Sequence, residues 1–252
     1  VIINGDISET QRLIAHAQKH GIAHIYTFGS ADHCDVRLIY STLHPVSSDV
    51  EAEIFGSRYR YTISSPGQHI VMNSLAVLAA CSCVGADVEH AAGYFIRVTP
   101  PQGRGARLHI QIGDGFAEVI DESYNANPAS MRAALDNLGR MKPKGRRIAV
   151  LGDMLELGPQ SAAMHASLNE AIMSNQINRI FLSGSMMEHL WHDLPMSVRG
   201  AHASSAQELL PHVLEDVQAG DVITIKGSLG SKMGPIVKEQ NKKFPVTSQK
   251  SA

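Results

Sequence analysis

The chain has 252 residues and a formal net charge of -2, and 44% of its residues are hydrophobic while 18% are charged. This balance excludes a strongly basic nucleic-acid-binding surface and a disordered polar chain. The longest apolar run, 70–86, is interrupted by polar residues, and no charged segment opens the chain, so neither a membrane span nor a signal peptide is predicted. We expect a globular cytoplasmic protein of one large or two modest domains.

The first predicted elements form a β-α-β unit. Strands are predicted in "VIINGD" (1–6) and "IAHIYTFG" (22–29), and the segment between them has the apolar spacing of an amphipathic helix. We predict a capping box from Ser8 to Gln11 at the start of this helix and a stop at Gly21. Because parallel strands need such a crossover, the two strands are expected to pair in parallel.

The next segment changes its pattern twice. Residues 34–64 contain three β-like runs joined by short polar turns, which predict an antiparallel or edge extension of the first sheet. A long apolar run with helical period follows in 70–85, and a second helix is predicted to begin near Asp87. The cysteines, Cys34 and the C-x-C pair of 81–83, are expected to be buried thiols, since residues two apart on a helix point to different faces and chelate metals poorly.

A stretch rich in Pro, Gly and Arg, "TPPQGRGAR" (99–107), predicts a domain boundary, which we place between 1–103 and 104–252. Beyond it, short apolar strands alternate with helical segments, and several strands end in Gly beside Asp or Ser. This alternation predicts a doubly wound, mostly parallel, Rossmann-like α/β sheet. Its polar strand ends would share the carboxyl edge, where ligands bind in such sheets.

The segment "DESYNANPASMRAAL" (121–135) carries more polar side chains than a helix cap requires. Asn127 followed by Pro128 is a typical N-cap with proline in the first helical position. The polar residues before this cap instead suit an anionic ligand beside the helix N-terminus. The glycine-rich "KGSLGSK" lacks the spacing of a phosphate-binding loop, and "GRG" is not followed by a helix, so neither predicts a nucleotide fingerprint.

Six stretches of the sequence resemble the Mur ligase family. They are "INGD", "PGQHIVMNSLAVLAA", "PPQGR", "IDESYNANPASM", "VLGDMLELG" and "KGSLGSKM", in this order from Asn4 to about Met233. The chain is most similar to the member that adds D-alanyl-D-alanine to UDP-N-acetylmuramoyl tripeptide in peptidoglycan precursor synthesis. The resemblance implies ATP and Mg²⁺ as cofactors, an acyl-phosphate intermediate, these two substrates as partners, and a cytoplasmic monomer that binds neither nucleic acid nor membrane.

The resemblance also implies how the chain is organised. Residues 1–103 correspond to part of a central ATPase-type α/β domain, and 104–252 to the Rossmann-like domain that binds the amino acid or dipeptide. No G-K-[ST] occurs in the sequence. We therefore expect the chain to be a C-terminal portion of such a ligase, with the phosphate loop, the metal-site acid and the N-terminal domain upstream. By itself it is expected not to catalyse the reaction.

Site residues follow from the resemblance position by position. Without the resemblance, a polar pair near a helix start, such as His69 and Asn73, would more often be a cap or a core contact. No residue is assigned to a metal, and Lys226 is the one candidate for a catalytic role. Glu122 and Ile70 depart from the family, which usually has Asp and Asn at these positions. The residues implied for the nucleotide are His69, Asn73, Arg104, Asp121 and Glu122, and those implied for the substrate are Tyr124, Asn125, Asn127, Asp153, Lys226 and Ser228.

Two readings of Lys226 remain open, a solvated charge after a strand or a group that neutralises a substrate carboxylate or phosphate. Either reading places Lys226 and Ser228 at a strand end outside the core. Two other functions also remain open: a sibling Mur-type or folylpolyglutamate-type amide ligase, and a non-catalytic ligand-binding module. Dipeptide binding would separate the sibling ligases.

Overall fold

The structure is a computed structural model that describes the backbone of residues 1–243 and the side chains of residues 1–238. The chain divides into two compact units, Val1–Thr99 and Pro100–Ala252. The division falls inside the predicted linker, ahead of residue 103. The reason is that the linker backbone is hydrogen-bonded to the second unit, where the Gly105 N–H donates to the Asp121 carbonyl at 2.8 Å.

The first unit contains one five-stranded sheet and three helices. The strands are β1 (Ile2–Asn4), β2 (Tyr26–Gly29), β3 (Val36–Leu43), β4 (Ser48–Ile54) and β5 (Ser57–Ile63), and the helices are α1 (Thr10–Lys19), α2 (Gln68–Cys83) and α3 (Val88–Tyr94). The strand order is β1-β2-β3-β4-β5. β1, β2 and β3 pair in parallel, and β3, β4 and β5 pair antiparallel, which confirms the β-α-β unit and its antiparallel extension.

Local details of this unit differ from prediction. The capping box from Ser8 to Gln11 is wrong: Glu9 is the N-cap of α1 and makes no side-chain cap bond. The Ser8 hydroxyl instead donates to the Glu9 carboxylate at 2.7 Å. β2 begins only at Tyr26, so the first half of the predicted strand is not part of the sheet. Gly21 ends the helix as predicted, with a left-handed φ of 71°.

The cysteines are also less uniformly buried than expected. Cys34 is buried, Cys81 is half-buried and Cys83 is exposed, and all three thiols are free. The expectation is wrong for Cys83 because only one face of α2 is covered, the face that carries Leu75 and Leu78. The two cysteines of the C-x-C pair therefore differ in exposure, as their spacing on a helix requires.

The second unit is built on a six-stranded sheet with the order β10-β9-β8-β11-β7-β6. The strands are β6 (Ala106–Ile112), β7 (Gly115–Glu122), β8 (Arg147–Gly152), β9 (Arg179–Ser183), β10 (Arg199–Ala203) and β11 (Val222–Lys226). β6 is antiparallel to β7, and every other pair in this sheet is parallel, which confirms the doubly wound, mostly parallel fold. β10 was not predicted, because this half-buried edge strand has no apolar run.

Helices cover both faces of this sheet, and each face has its own core. They are α4 (Pro128–Arg140), α5 (Ser161–Ala166), α6 (Leu168–Ser174), α7 (Met187–Asp193), α8 (Ala206–Asp216) and α9 (Gly234–Lys243). Leu151 and Leu135 belong to one core, and Val150 and Leu209 to the other, since successive strand residues point to opposite faces. Within residues 1–243, no helix has the length and apolarity needed to cross a membrane.

A network of charges closes the amino edge of the sheet. Asp221, just before β11, is 2% exposed and accepts hydrogen bonds from the backbone N–H groups of Arg146 at 2.8 Å and Gln218 at 2.9 Å. The Arg146 guanidinium binds Asp221 at 2.8 Å and Asp216 at 2.9 Å. The hydrogen bond to Asp221 is the main cause that raises the pKa of Arg146. Asp221 thus ties the segment before β8 to the turn before β11.

Replacing Asp221 by alanine should lower the free energy of unfolding of the second unit by about 2–4 kcal/mol, since two backbone donors and one guanidinium lose their acceptor. The control is Asp114→Ala, a change at an exposed turn residue. Urea denaturation of both variants would be monitored by circular dichroism. The control should change stability by less than about 0.5 kcal/mol. Equal midpoints for the two variants would contradict a stabilising role for this network.

Candidate functional site

The carboxyl edge of the second sheet brings most of the predicted site residues of this unit together. In the parallel register, Lys226 at the end of β11 lies beside Glu122 of β7 on one side and Leu151 of β8 on the other. The loops that follow these strands therefore emerge side by side. This confirms the prediction that the polar strand ends share one edge.

Asp121 is buried and fixes the linker to this edge. Asp121 is the next-to-last residue of β7, and it is 2% exposed. One carboxylate oxygen accepts the Gly103 N–H at 3.0 Å, and the other accepts the Ser123 N–H at 3.1 Å and its hydroxyl at 2.6 Å. Both oxygens are thus engaged within the protein, and these bonds set the conformation of the linker.

Lys226 is also buried, with 4% of its surface exposed. Its ammonium group donates to the Glu122 carboxylate at 3.1 Å and to the Asn125 carbonyl at 2.9 Å. The reading of Lys226 as a solvated charge is therefore wrong. The Glu122 carboxylate balances the positive charge of Lys226. The two bonds use two of the three ammonium N–H groups and leave the third.

Ser228 connects three loops at the same edge. Its backbone N–H donates to the Asp153 carbonyl at 3.1 Å, and its hydroxyl donates to the Ala126 carbonyl at 3.3 Å and accepts the Leu155 N–H at 2.9 Å. Ser228 is 5% exposed. The expectation that Lys226 and Ser228 lie outside the core is wrong, because tight neighbouring loops cover both side chains.

Asp153 holds the start of α7. Its carboxylate accepts the Met187 N–H at 2.9 Å and the Met186 N–H at 3.4 Å. A Cβ atom on Gly184 would lie 2.3 Å from this carboxylate, and Gly184 has a φ of 109°. Glycine is therefore required where the loop after β9 passes Asp153.

Three polar residues of the loop after β7, Tyr124, Asn125 and Asn127, are exposed at this edge. Asn127 is the N-cap of α4, and it forms a capping box with Ser130 in which its side chain accepts the Ser130 N–H at 2.8 Å. The Asn125 side-chain oxygen accepts the Ala126 N–H at 2.9 Å. These bonds use the side-chain oxygens of the two exposed asparagines, so they leave the amide NH₂ groups able to donate to a ligand.

Arg104 stacks on Tyr124, with its guanidinium carbon 4.2 Å from the ring centroid. Both residues are exposed. Stacking occupies the flat face of a guanidinium and leaves the N–H groups at its edge for hydrogen bonds. This arrangement suits an anionic ligand.

His69 and Asn73 lie one turn apart on α2 in the first unit, and both are exposed. The N-cap of α2 is Gly67, which has no side-chain cap bond. Asn73 is thus neither a cap nor a core contact, which removes both structural explanations for this residue. The residues of this helix that pack into the core, such as Leu75, lie on the other face.

Comparison with known proteins identifies the fold and the family. A family model described as Mur ligase, glutamate ligase domain, matches residues 106–229. The chain is 32% identical over 226 residues to a UDP-N-acetylmuramoyl-tripeptide--D-alanyl-D-alanine ligase of Bacillus subtilis strain 168, an alignment that covers 84% of this chain and 46% of that protein. The chain belongs to the Mur ligase family.

A relative from Rickettsia prowazekii with the same name is 29% identical over 239 residues, with 94% of this chain and 51% of the relative covered. The structure of a UDP-N-acetylmuramoylalanyl-D-glutamyl-2,6-diaminopimelate--D-alanyl-D-alanyl ligase from Acinetobacter baumannii superposes with a TM-score of 0.79 at 22% identity, covering 96% of this chain and 50% of that one. This likeness shows a shared fold. The chain spans about half the length of the curated relatives it matches.

The matched Mur ligase domain contains the carboxyl edge from Asp121 to Ser228 but neither Arg104 nor the α2 residues. Sequence reasoning missed one residue at this edge, His165, which is fully buried in α5. It lies in a short alanine-rich helix, and no local pattern marks it. Within the described side chains, no group of three or more His, Cys, Asp or Glu residues could hold a metal ion.

Lys226→Met should lower the free energy of unfolding of the second unit by about 3 kcal/mol, because the Glu122 carboxylate stays partly buried without its partner. The double variant Lys226→Met with Glu122→Leu should recover much of this loss, since an apolar pair leaves no uncompensated charge. Thermal and urea unfolding of the single and double variants measure the coupling. A double variant less stable than Lys226→Met alone would contradict this account of the ion pair.

Proposed function

We propose that this chain supplies the dipeptide-binding domain and part of the ATP-binding domain of a ligase that adds D-alanyl-D-alanine to UDP-N-acetylmuramoyl tripeptide. The observation that carries the proposal is the carboxyl edge of the second unit, where exposed amide side chains stand on a buried polar frame. Two relatives whose alignments cover 94% and 84% of the chain bear the name of this activity. We place the ligase in the cytoplasm as a monomer.

In this proposal the buried and exposed residues of the edge have different tasks. Tyr124, Asn125 and Asn127 contact the incoming dipeptide, because their side chains are exposed. Asp153, Lys226 and Ser228 hold the loops that present them. Binding the dipeptide in a fixed orientation brings its amine toward the activated carboxyl group, and such positioning can account for a large part of a ligase's rate. Lys226 is then a frame residue and not a catalytic one.

The residues that we assign to ATP are also chosen by exposure and by the groups that they offer. Asn73, exposed and without a structural task, offers an amide to an adenine edge, and His69 shares its helix face. The free guanidinium edge of Arg104 suits the phosphates, and Glu122 lies beside the linker that carries Arg104. ATP supplies the phosphoryl group that activates the peptide carboxylate, with Mg²⁺ neutralising its charge. We assign no residue of this chain to the metal ion.

Dipeptide binding by the 252-residue chain tests the amino-acid side of the proposal. D-alanyl-D-alanine should bind in isothermal titration calorimetry, and Asn125→Ala should weaken binding about tenfold by removing one hydrogen-bonding amide. Asn137→Ala, at the far end of α4, is the matched control and should leave affinity unchanged. Stronger binding of L-glutamate than of the dipeptide would favour a folylpolyglutamate-type ligase, and no binding of either would contradict the proposal.

Asn73→Ala tests the nucleotide side in an active ligase that contains this sequence. The KM for ATP should rise tenfold to hundredfold, from about 1–3 kcal/mol of lost hydrogen bonding, while the KM for the dipeptide stays the same. Cys83→Ala, at an exposed position on the same helix, serves as the control. An unchanged KM for ATP in a folded Asn73 variant would remove this residue from the nucleotide site.

A further inference from the structure

His165 is a buried histidine that the proposed function does not use. It lies on α5, and its side chain has no exposed surface. Its Nδ1 atom is 2.7 Å from the Ser161 carbonyl oxygen, and its Nε2 atom is 2.9 Å from the Met154 backbone nitrogen. Both ring nitrogens are therefore engaged with the backbone.

These partners define the state of the ring. A carbonyl oxygen can only accept, so Nδ1 carries the hydrogen and donates it to Ser161. A backbone N–H can only donate, so Nε2 has no hydrogen and accepts from Met154. His165 is thus a neutral imidazole in one tautomer, held between α5 and the loop that follows β8.

The loop held by His165 reaches the carboxyl edge one residue later. The Met154 N–H is bound by His165, and the Leu155 N–H is bound by the Ser228 hydroxyl at 2.9 Å. Met154 is 1% exposed, whereas Leu155 is 45% exposed. The two consecutive amides are therefore held from opposite sides, one from the core and one from the candidate site.

The loop also contains an uncommon backbone conformation. Glu156 has a left-handed φ of 64°, which non-glycine residues rarely adopt. Such a conformation persists where the surrounding contacts fix it. The bonds of His165 and Ser228 immediately before Glu156 are contacts of this kind.

We propose that His165 is a positioning residue for the carboxyl edge: by holding the Met154 amide it fixes the loop whose Leu155 amide orients the Ser228 hydroxyl. The identity of the ligand at this edge rests on the proposed function, whereas the predicted effect of His165 on the loop does not. Loss of the Nε2 acceptor should therefore loosen Met154 and Leu155 together and weaken ligand binding at the edge.

Two substitutions separate the two ring nitrogens. In His165→Asn the amide can replace Nδ1 as the donor to Ser161, but it has no acceptor at the position of Nε2. In His165→Gln the side-chain oxygen is the same number of bonds from Cα as Nε2 and can accept from Met154. His212→Asn, at an exposed position on α8, is the matched control.

Hydrogen exchange of the Met154 and Leu155 amides and calorimetric titration with D-alanyl-D-alanine are measured on the 252-residue chain and its variants. In His165→Asn both amides should exchange about tenfold faster than the change in global stability explains, and dipeptide affinity should fall about tenfold. His165→Gln should restore both quantities in large part, and His212→Asn should change neither.

Exchange of both amides that only follows global unfolding would overturn the proposal, as would faster loop exchange with unchanged dipeptide affinity. If the parent chain binds no dipeptide, the proposed function fails, and selective acceleration at Leu155 decides the positioning role alone. If His165→Asn does not fold, two other measurements decide. A Met154 amide that is unprotected in the parent chain overturns the proposal, and so does a folded His165→Gln variant with weakened dipeptide binding.

Discussion

The buried ammonium group of Lys226 holds together the carboxyl edge on which the candidate site is built. It lies at the end of β11, between β7 and β8, and it binds the Glu122 carboxylate and the Asn125 carbonyl. A buried cation is tolerated only with such partners, so the loop after β7 must follow the path that brings them to Lys226. α4 begins directly after this loop, and the exposed Asn127 cap is placed by the same constraint.

The two edges of the second sheet use charge for different purposes. At the amino edge, Asp221, Arg146 and Asp216 bind one another and nearby backbone groups, and this network joins the segments that precede the strands. At the carboxyl edge, buried polar groups satisfy loop backbone while amide and guanidinium groups remain exposed above them. In the proposed function, the same strands support stability at the amino edge and ligand binding at the carboxyl edge, because a loop that binds ligands cannot bury all its polar groups.

Short-range patterns predicted most elements of the fold and failed at a few positions, each for a different physical reason. The apolar periods located the central strands, and Asn127 with Pro128 predicted the start of α4 correctly. The Ser8 cap failed because the Ser8 hydroxyl binds the adjacent Glu9 carboxylate. β10 was missed because an edge strand needs no apolar run. His165 contacts Ser161 within its own helix and Met154 in the loop after β8. The positioning role that we propose depends on the second contact, which the local sequence does not reveal.

Residue type and spacing along the chain were enough to predict the alternation of strands and helices, the family resemblance and the polar segment of 121–127. Tertiary structure alone decided that Asp121, Lys226 and Ser228 are buried and engaged while Asn125 remains exposed. Burial and pairing depend on groups about a hundred residues apart, as between Lys226 and Glu122, and the parallel register of β7 and β11 is what brings those groups within hydrogen-bonding distance.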